Sequence, residues 1–100
     1  MNQYFEEQKR KFWILSGLNE DNLVGLWAEQ TYDEYQDDVA AIAAFVTVLN
    51  HKCWYWYEKG SDELSNIYAE LYYKYNNLEW DWLEAHGIEE EKHWYFETLD

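Results

Sequence analysis

Val39-Ala40-Ala41-Ile42-Ala43-Ala44-Phe45-Val46-Thr47-Val48-Leu49-Asn50-His51-Lys52-Cys53-Trp54-Tyr55-Trp56-Tyr57 is the stretch that decides the fold class of this chain. Tyr35, Val39, Ile42, Val46, Leu49, Cys53 and Trp56 recur at spacings of three and four. That is the α-helical period, held for roughly six turns at 3.6 residues per turn. Across 39–50 the opposite face is uncharged too, with Ala41, Ala44, Phe45 and Val48. A helix that is apolar all round belongs at the centre of a fold. The β-favouring run Cys53-Trp54-Tyr55-Trp56-Tyr57 offers a competing strand. The sustained period and the lack of a hairpin signal such as Asn-Gly favour the helix.

Working outward, Gly60 ends this helix and Ser61 caps the next, with Asp62 and Glu63 in its first turn. Leu64, Ile67, Leu71, Tyr75, Leu78, Trp82 and Ala85 again follow threes and fours until Gly87, with Asn76-Asn77 as a candidate break. Toward the N-terminus, Thr31 and Glu34 match a capping box that would start the central helix. Asn19 caps an earlier helix with Glu20 and Asp21 in its first turn and Leu23, Leu26 and Trp27 on its apolar face. Gly25 weakens that helix by about 1 kcal/mol relative to Ala. Residues 3–16 carry Phe5, Phe12 and Leu15 on one face, with Gly17 as the stop. The last segment, 88–98, holds Ile88, Trp94, Tyr95 and Phe96 and fits either a short helix or an edge strand.

The expectation is an all-α protein: one domain over 1–100, a small bundle of four to five helices, two of them long and joined as a hairpin near Gly60. Ile42, Val46, Leu49, Ile67 and Leu71 are its expected core. One hundred residues suit one core and not two. Helices of about 25 residues approach 40 Å at 1.5 Å per residue, so either they break or the hairpin ends protrude; the protruding form, with 21 aromatics for one small core, points to a homodimer.

Composition narrows the function classes. The chain has 21 aromatics, 21 acids against 7 bases, no proline and a formal charge of −14. Disordered acidic tails are poor in aromatics, so this chain folds. Direct nucleic-acid binding requires clustered Lys and Arg, which only Lys9-Arg10-Lys11 supplies. A single cysteine, Cys53, permits no internal disulfide and suits a reducing cytoplasm. Residues 1–7 do not read as a signal peptide, and 39–50 is too short to span a membrane.

Enzyme motifs are absent. Gly17, Gly25, Gly60 and Gly87 form no phosphate loop, and Ser16, Ser61 and Ser65 stand in no nucleophile elbow. Cys53 falls on an apolar helix face, where cysteine acts as a small hydrophobe. Glu90-Glu91-Lys92-His93 contains one Glu-x-x-His, but a di-iron bundle needs two, and Val48 and Leu83 stand three residues before His51 and His86. No catalytic residue, metal ligand or cofactor is expected.

Charge patterning carries the remaining signal. Residues 12–51 hold seven acids and no base; residues 75–100 hold eight acids and only Lys92. Asp33 with Asp37 and Glu34 with Asp38 form like-charge pairs four apart, each unfavourable by a few tenths of a kcal/mol on one helix. Glu79, Asp81, Glu84, Glu89, Glu90 and Glu91 build a second block. A solvated surface is the plain reading of such runs. The sharper one is that these ten acids bind a partner, with carboxylates in place of phosphates and aromatic rings in place of bases. In composition and size the chain resembles small acidic nucleic-acid-mimic inhibitors of phages and mobile elements, of the anti-restriction, anti-CRISPR and glycosylase-inhibitor kinds. That resemblance implies a basic nucleic-acid-binding protein as partner, with no direct nucleic acid and no membrane. The alternative is a dimeric structural or adaptor protein with an aromatic interface and no inhibitory role.

Overall fold

Residues 41–49 are buried without interruption, as the all-round apolar stretch requires. They lie in the third of four helices in a computed structural model, which describes residues 3–20 and 23–85. The helices are α1 (Gln3–Leu18), α2 (Val24–Tyr35), α3 (Val39–Glu58) and α4 (Asp62–Ala85), and no strand occurs among the described residues. Residues 53–57 are therefore helical. The 88–98 segment, expected as a fifth element, lies outside the described residues, as does Gly87.

α3 makes its broadest contact with α4 and its next with α1, while α2 touches all three. Ala41, Ala43 and Ala44 keep α3 thin enough for these neighbours to approach, and rings fill the gaps. Phe12 meets Trp27, Tyr35 and Phe45 edge-on at centroid distances of 5.4–6.3 Å. Phe45 meets Tyr75 at 5.3 Å. Edge-to-face pairs of this kind add about 0.5–1.5 kcal/mol each beyond their area.

The structure differs from expectation at three helix ends and at one candidate break. α1 runs through Gly17 to Leu18, and Asn19 serves that end, its side chain donating to the Leu15 carbonyl at 2.7 Å. α2 starts instead behind Leu23, without a side-chain cap. Thr31 is buried inside α2, so the capping box does not operate. The cap of α3 is Asp38, whose Oδ1 accepts from the Ala41 amide at 3.1 Å. Helix α4 passes through Asn76 and Asn77 unbroken.

Between α3 and α4 the chain turns through Gly60, at φ +85. The Gly60 amide donates to the Tyr57 carbonyl at 3.1 Å and the Ser61 amide to that of Trp56 at 2.9 Å. This is a Schellman closure, which needs a left-handed residue and so favours glycine. On α4 the deepest residues are Ser65, Tyr68, Tyr75 and Glu79; Ile67 and Leu71 are only half-buried. Tyr75 belongs to the expected face, whereas at Ser65 and Tyr68 polar anchors take the place of their aliphatic neighbours: Ser65 Oγ donates to the Cys53 carbonyl at 2.9 Å, and the Tyr68 hydroxyl donates to Glu20 at 2.6 Å.

Glu20 is the polar centre of the fold. Its Oε2 also accepts from Trp56 Nε1 at 3.0 Å and from Lys52 Nζ at 3.3 Å. Lys52 is 4% exposed, and its ammonium sits 4.2 Å from the Trp13 ring centroid. One carboxylate thus ties the end of α1 to α3 and α4. Burial and this hydrogen bond hold the Tyr68 hydroxyl protonated far above the ordinary tyrosine range.

Two outcomes follow for stability in urea. Glu20→Gln leaves a buried ammonium uncompensated and should cost about 3 kcal/mol, whereas exposed Glu29→Gln should shift stability by less than about 0.5 kcal/mol. Leu49→Ala should cost roughly 2–5 kcal/mol, and half-buried Leu71→Ala distinctly less. Equal losses at Leu49 and Leu71 would contradict the packing described.

Candidate protein-interaction surface

The chain order places the start of α1, the end of α2, the start of α3 and the end of α4 at one end of the bundle. Tyr4 donates its hydroxyl to Asp38 Oδ2 at 2.5 Å, which joins α1 to α3 there. Lys11 donates to the Tyr35 hydroxyl at 2.6 Å and lies 5.1 Å from its ring centroid, which joins α1 to α2. Tyr32 of α2 packs on Tyr75 of α4 at 5.2 Å. Burial raises the Tyr32 pKa, and the negative charges of Glu79, Asp33 and Asp81 raise it further. Acids from both sequence blocks therefore surround one phenol.

The ten predicted partner-binding acids divide sharply. Asp33 and Glu34 are exposed in the last turn of α2, Asp37 is exposed in the turn that follows, and Asp81 and Glu84 are exposed in the last turns of α4. Asp38 is half-buried and engaged as the α3 cap and Tyr4 acceptor. Glu79 departs from the expectation: it is 1% exposed and faces the interior beside Tyr32, so it offers no charge to a partner's surface. Glu89, Glu90 and Glu91 lie outside the described residues. The expected like-charge pairs do not form on one helix, because α2 stops at Tyr35 and places Asp37 and Asp38 beyond it.

A different penalty replaces them. Asp33, Glu34, Asp81 and Glu84 sit at helix C-termini, and neither helix has a base in its last turn. A negative charge there opposes the helix dipole by about 0.3–1 kcal/mol. The cations are meanwhile held over rings: Lys9 over Phe5 at 5.4 Å, Lys59 over Tyr55 at 5.5 Å and Lys74 over Tyr75 at 5.1 Å. These contacts, with Glu20 and Lys52, are what the sequence reading missed. Lys52 did carry a signal, as a lone base within an apolar helix face.

Among the described residues no group of three or more His, Cys, Asp or Glu is arranged to hold a metal ion. Cys53 is half-buried, its Sγ 3.7 Å from Ser65 Oγ. No helix of the described residues is long and apolar enough to cross a membrane.

The Tyr4–Asp38 bond generates an alkaline transition. Accepting this bond, Asp38 raises the Tyr4 pKa from 10.0 to about 12. The folded protein keeps a proton that the unfolded chain releases, so this contribution is complete below pH 10 and is lost as pH rises toward 12. Tyr4→Phe should flatten the fall of urea stability between pH 10 and 12. An unchanged slope would exclude the bond from that transition.

Comparison with known proteins finds no matching family model, no similar curated protein and no similar solved structure.

Proposed function

We propose that this chain is a small acidic inhibitor that binds and occludes a basic nucleic-acid-binding surface of a partner protein, with no turnover. A phage or mobile-element inhibitor of the anti-CRISPR or anti-restriction type is the setting that fits. One observation carries the reading: exposed acids from α2 and α4 gather at one end of the bundle, at helix C-termini where they oppose folding. Stability does not account for carboxylates in those positions, whereas attraction to a cationic partner does. Tyr32 stands among them as half-buried aromatic ground on which a guanidinium group can lie. Asp33, Glu34, Asp37, Asp81 and Glu84 are the residues assigned to contact, with Asp38 holding the turn that presents them.

A second reading has its own support. Trp54, Tyr57 and Tyr73 are 59%, 62% and 67% exposed, and the first two pack on each other at 5.8 Å. Such surface suits a homodimeric adaptor, whose sedimentation mass would be twice 12.3 kDa.

The decisive experiment neutralises the acidic end with Asp33→Asn, Glu34→Gln, Asp37→Asn, Asp81→Asn and Glu84→Gln, leaving Asp38 in place. Capture of basic nucleic-acid enzymes from a bacterial lysate should fall at least tenfold and should be reproduced by added salt. Folding stability should stay level or rise slightly, since the dipole penalty is relieved. Capture that is unchanged by neutralisation and by salt would overturn the inhibitor reading, and a dimer with the same behaviour would favour the adaptor.

A further inference from the structure

Phe12 and Ser16 of α1 and Trp27, Ala28 and Thr31 of α2 are buried toward the core. The outward sides of the same two helices carry a different pattern. Arg10, Ile14 and Leu18 follow one another at spacings of four along α1, and Leu23, Leu26 and Glu29 at spacings of three from the start of α2; all six are exposed. The four aliphatic side chains are each more than half exposed. Together they make an apolar patch on the order of several hundred Å², the size that marks an interaction site on a soluble protein.

The two rows are in register. The Leu23 amide donates to the Asn19 carbonyl at 3.0 Å, and Lys11 reaches Tyr35 further along, so α1 and α2 run antiparallel from that junction. Leu18 and Leu23 lie at the junction, Ile14 and Leu26 about 5–6 Å from it, and Arg10 and Glu29 about 9–12 Å from it.

We propose that this face binds a second copy of the chain about a two-fold axis parallel to the helices. Such an axis lays α1 of one copy over α2 of the other at equal height. Leu18 then meets Leu23 of the second copy, Ile14 meets its Leu26, and Arg10 meets its Glu29; each pairing occurs twice. The face is its own complement in apolarity and in charge. A cationic partner of another kind finds Glu29 offset by Arg10 here, and five exposed acids at the far end of the bundle. With the stems of Arg10 and Glu29, the face approaches the roughly 800 Å² per partner of a standard interface.

The formal charge of −14 opposes association. Its opposition is weakest on this stretch, where one base matches one acid. Beyond the level of Arg10, the exposed Glu7 and Asp33 carry like charge, so the two copies pair near the junction and diverge from there. Both acidic ends stay outside the contact and project on the same side. The pairing uses neither that acidic end nor Trp54, Tyr57 and Tyr73, so it stands whether or not the inhibitor reading does.

Sedimentation of the full-length protein at micromolar concentration should give a mass twice 12.3 kDa. Leu18→Asp with Leu26→Asp should give the monomer mass. Arg10→Glu should weaken dimerisation by about tenfold or more, and Arg10→Glu combined with Glu29→Arg should restore it. The exchanged side chains are exposed, so the helical circular dichroism of every variant should match the parent. A parent that sediments as a monomer with its helical signal intact overturns the proposal. So does a dimer that the charge exchange fails to restore. A dimer lost in Trp54→Ala, Tyr57→Ala but kept in Leu18→Asp, Leu26→Asp also overturns it, and places the contact on the aromatic surface.

Discussion

The buried pair of Glu20 and Lys52 is the constraint on which the rest of this bundle depends. A lysine that is 4% exposed must have both its charge and its donors satisfied. Glu20 supplies the charge and Trp13 the ring beneath it. Glu20 follows closely on α1, so its bond to Lys52 holds the end of α1 against α3. Trp56 and Tyr68 join the same oxygen, so the rotation of α3 and α4 about their axes is fixed by hydrogen bonds as well as by apolar area. A well-matched apolar pair could replace such an arrangement with little loss of stability, but removing one member cannot be tolerated cheaply.

Much of the architecture was legible because α3 is so uniformly apolar: its period, its end at Gly60 and its central place all follow from one stretch. Misreadings cluster where two local signals competed. Thr31 and Glu34 have capping-box spacing, yet Trp27, Ala28 and Thr31 share the inner face of α2, and burying them outweighs a cap worth about 1 kcal/mol. Asp38, which the sequence pairs with Glu34 as a like-charge contact, is the cap of α3 in their stead. On α4 the aliphatic pattern of Leu64, Ile67 and Leu71 pointed one residue away from the true inner face, because tyrosines both pack and reach for hydrogen-bond partners. Glu79 misled in the opposite sense, since no sequence pattern distinguishes a buried glutamate from the exposed acids around it.

The charge pattern survives these corrections in altered form. Its origin is the disposition of the few cations, which lie against Phe5, Phe12, Tyr35, Trp13, Tyr55 and Tyr75. Rings attract ammonium groups without neutralising them, so lysine stems add packing while the surface carboxylates keep their field. Sequence counting gave the size of the imbalance. Only the fold revealed that the α2 and α4 acids meet around Tyr32.

The span of the Glu20 contacts has a kinetic consequence. Tyr68 lies 48 residues from Glu20 along the chain, whereas Ser65 reaches Cys53 across only 12. Loop closure favours the nearer pairing, so α3 and α4 zip together while the connection after α1 is still free. The carboxylate then locks an assembly already largely formed. Interactions completed after the folding barrier govern how slowly a protein comes apart and leave the rate of formation nearly untouched. Glu20 is therefore a latch on the lifetime of the bundle, and the speed of assembly belongs to the α3–α4 turn.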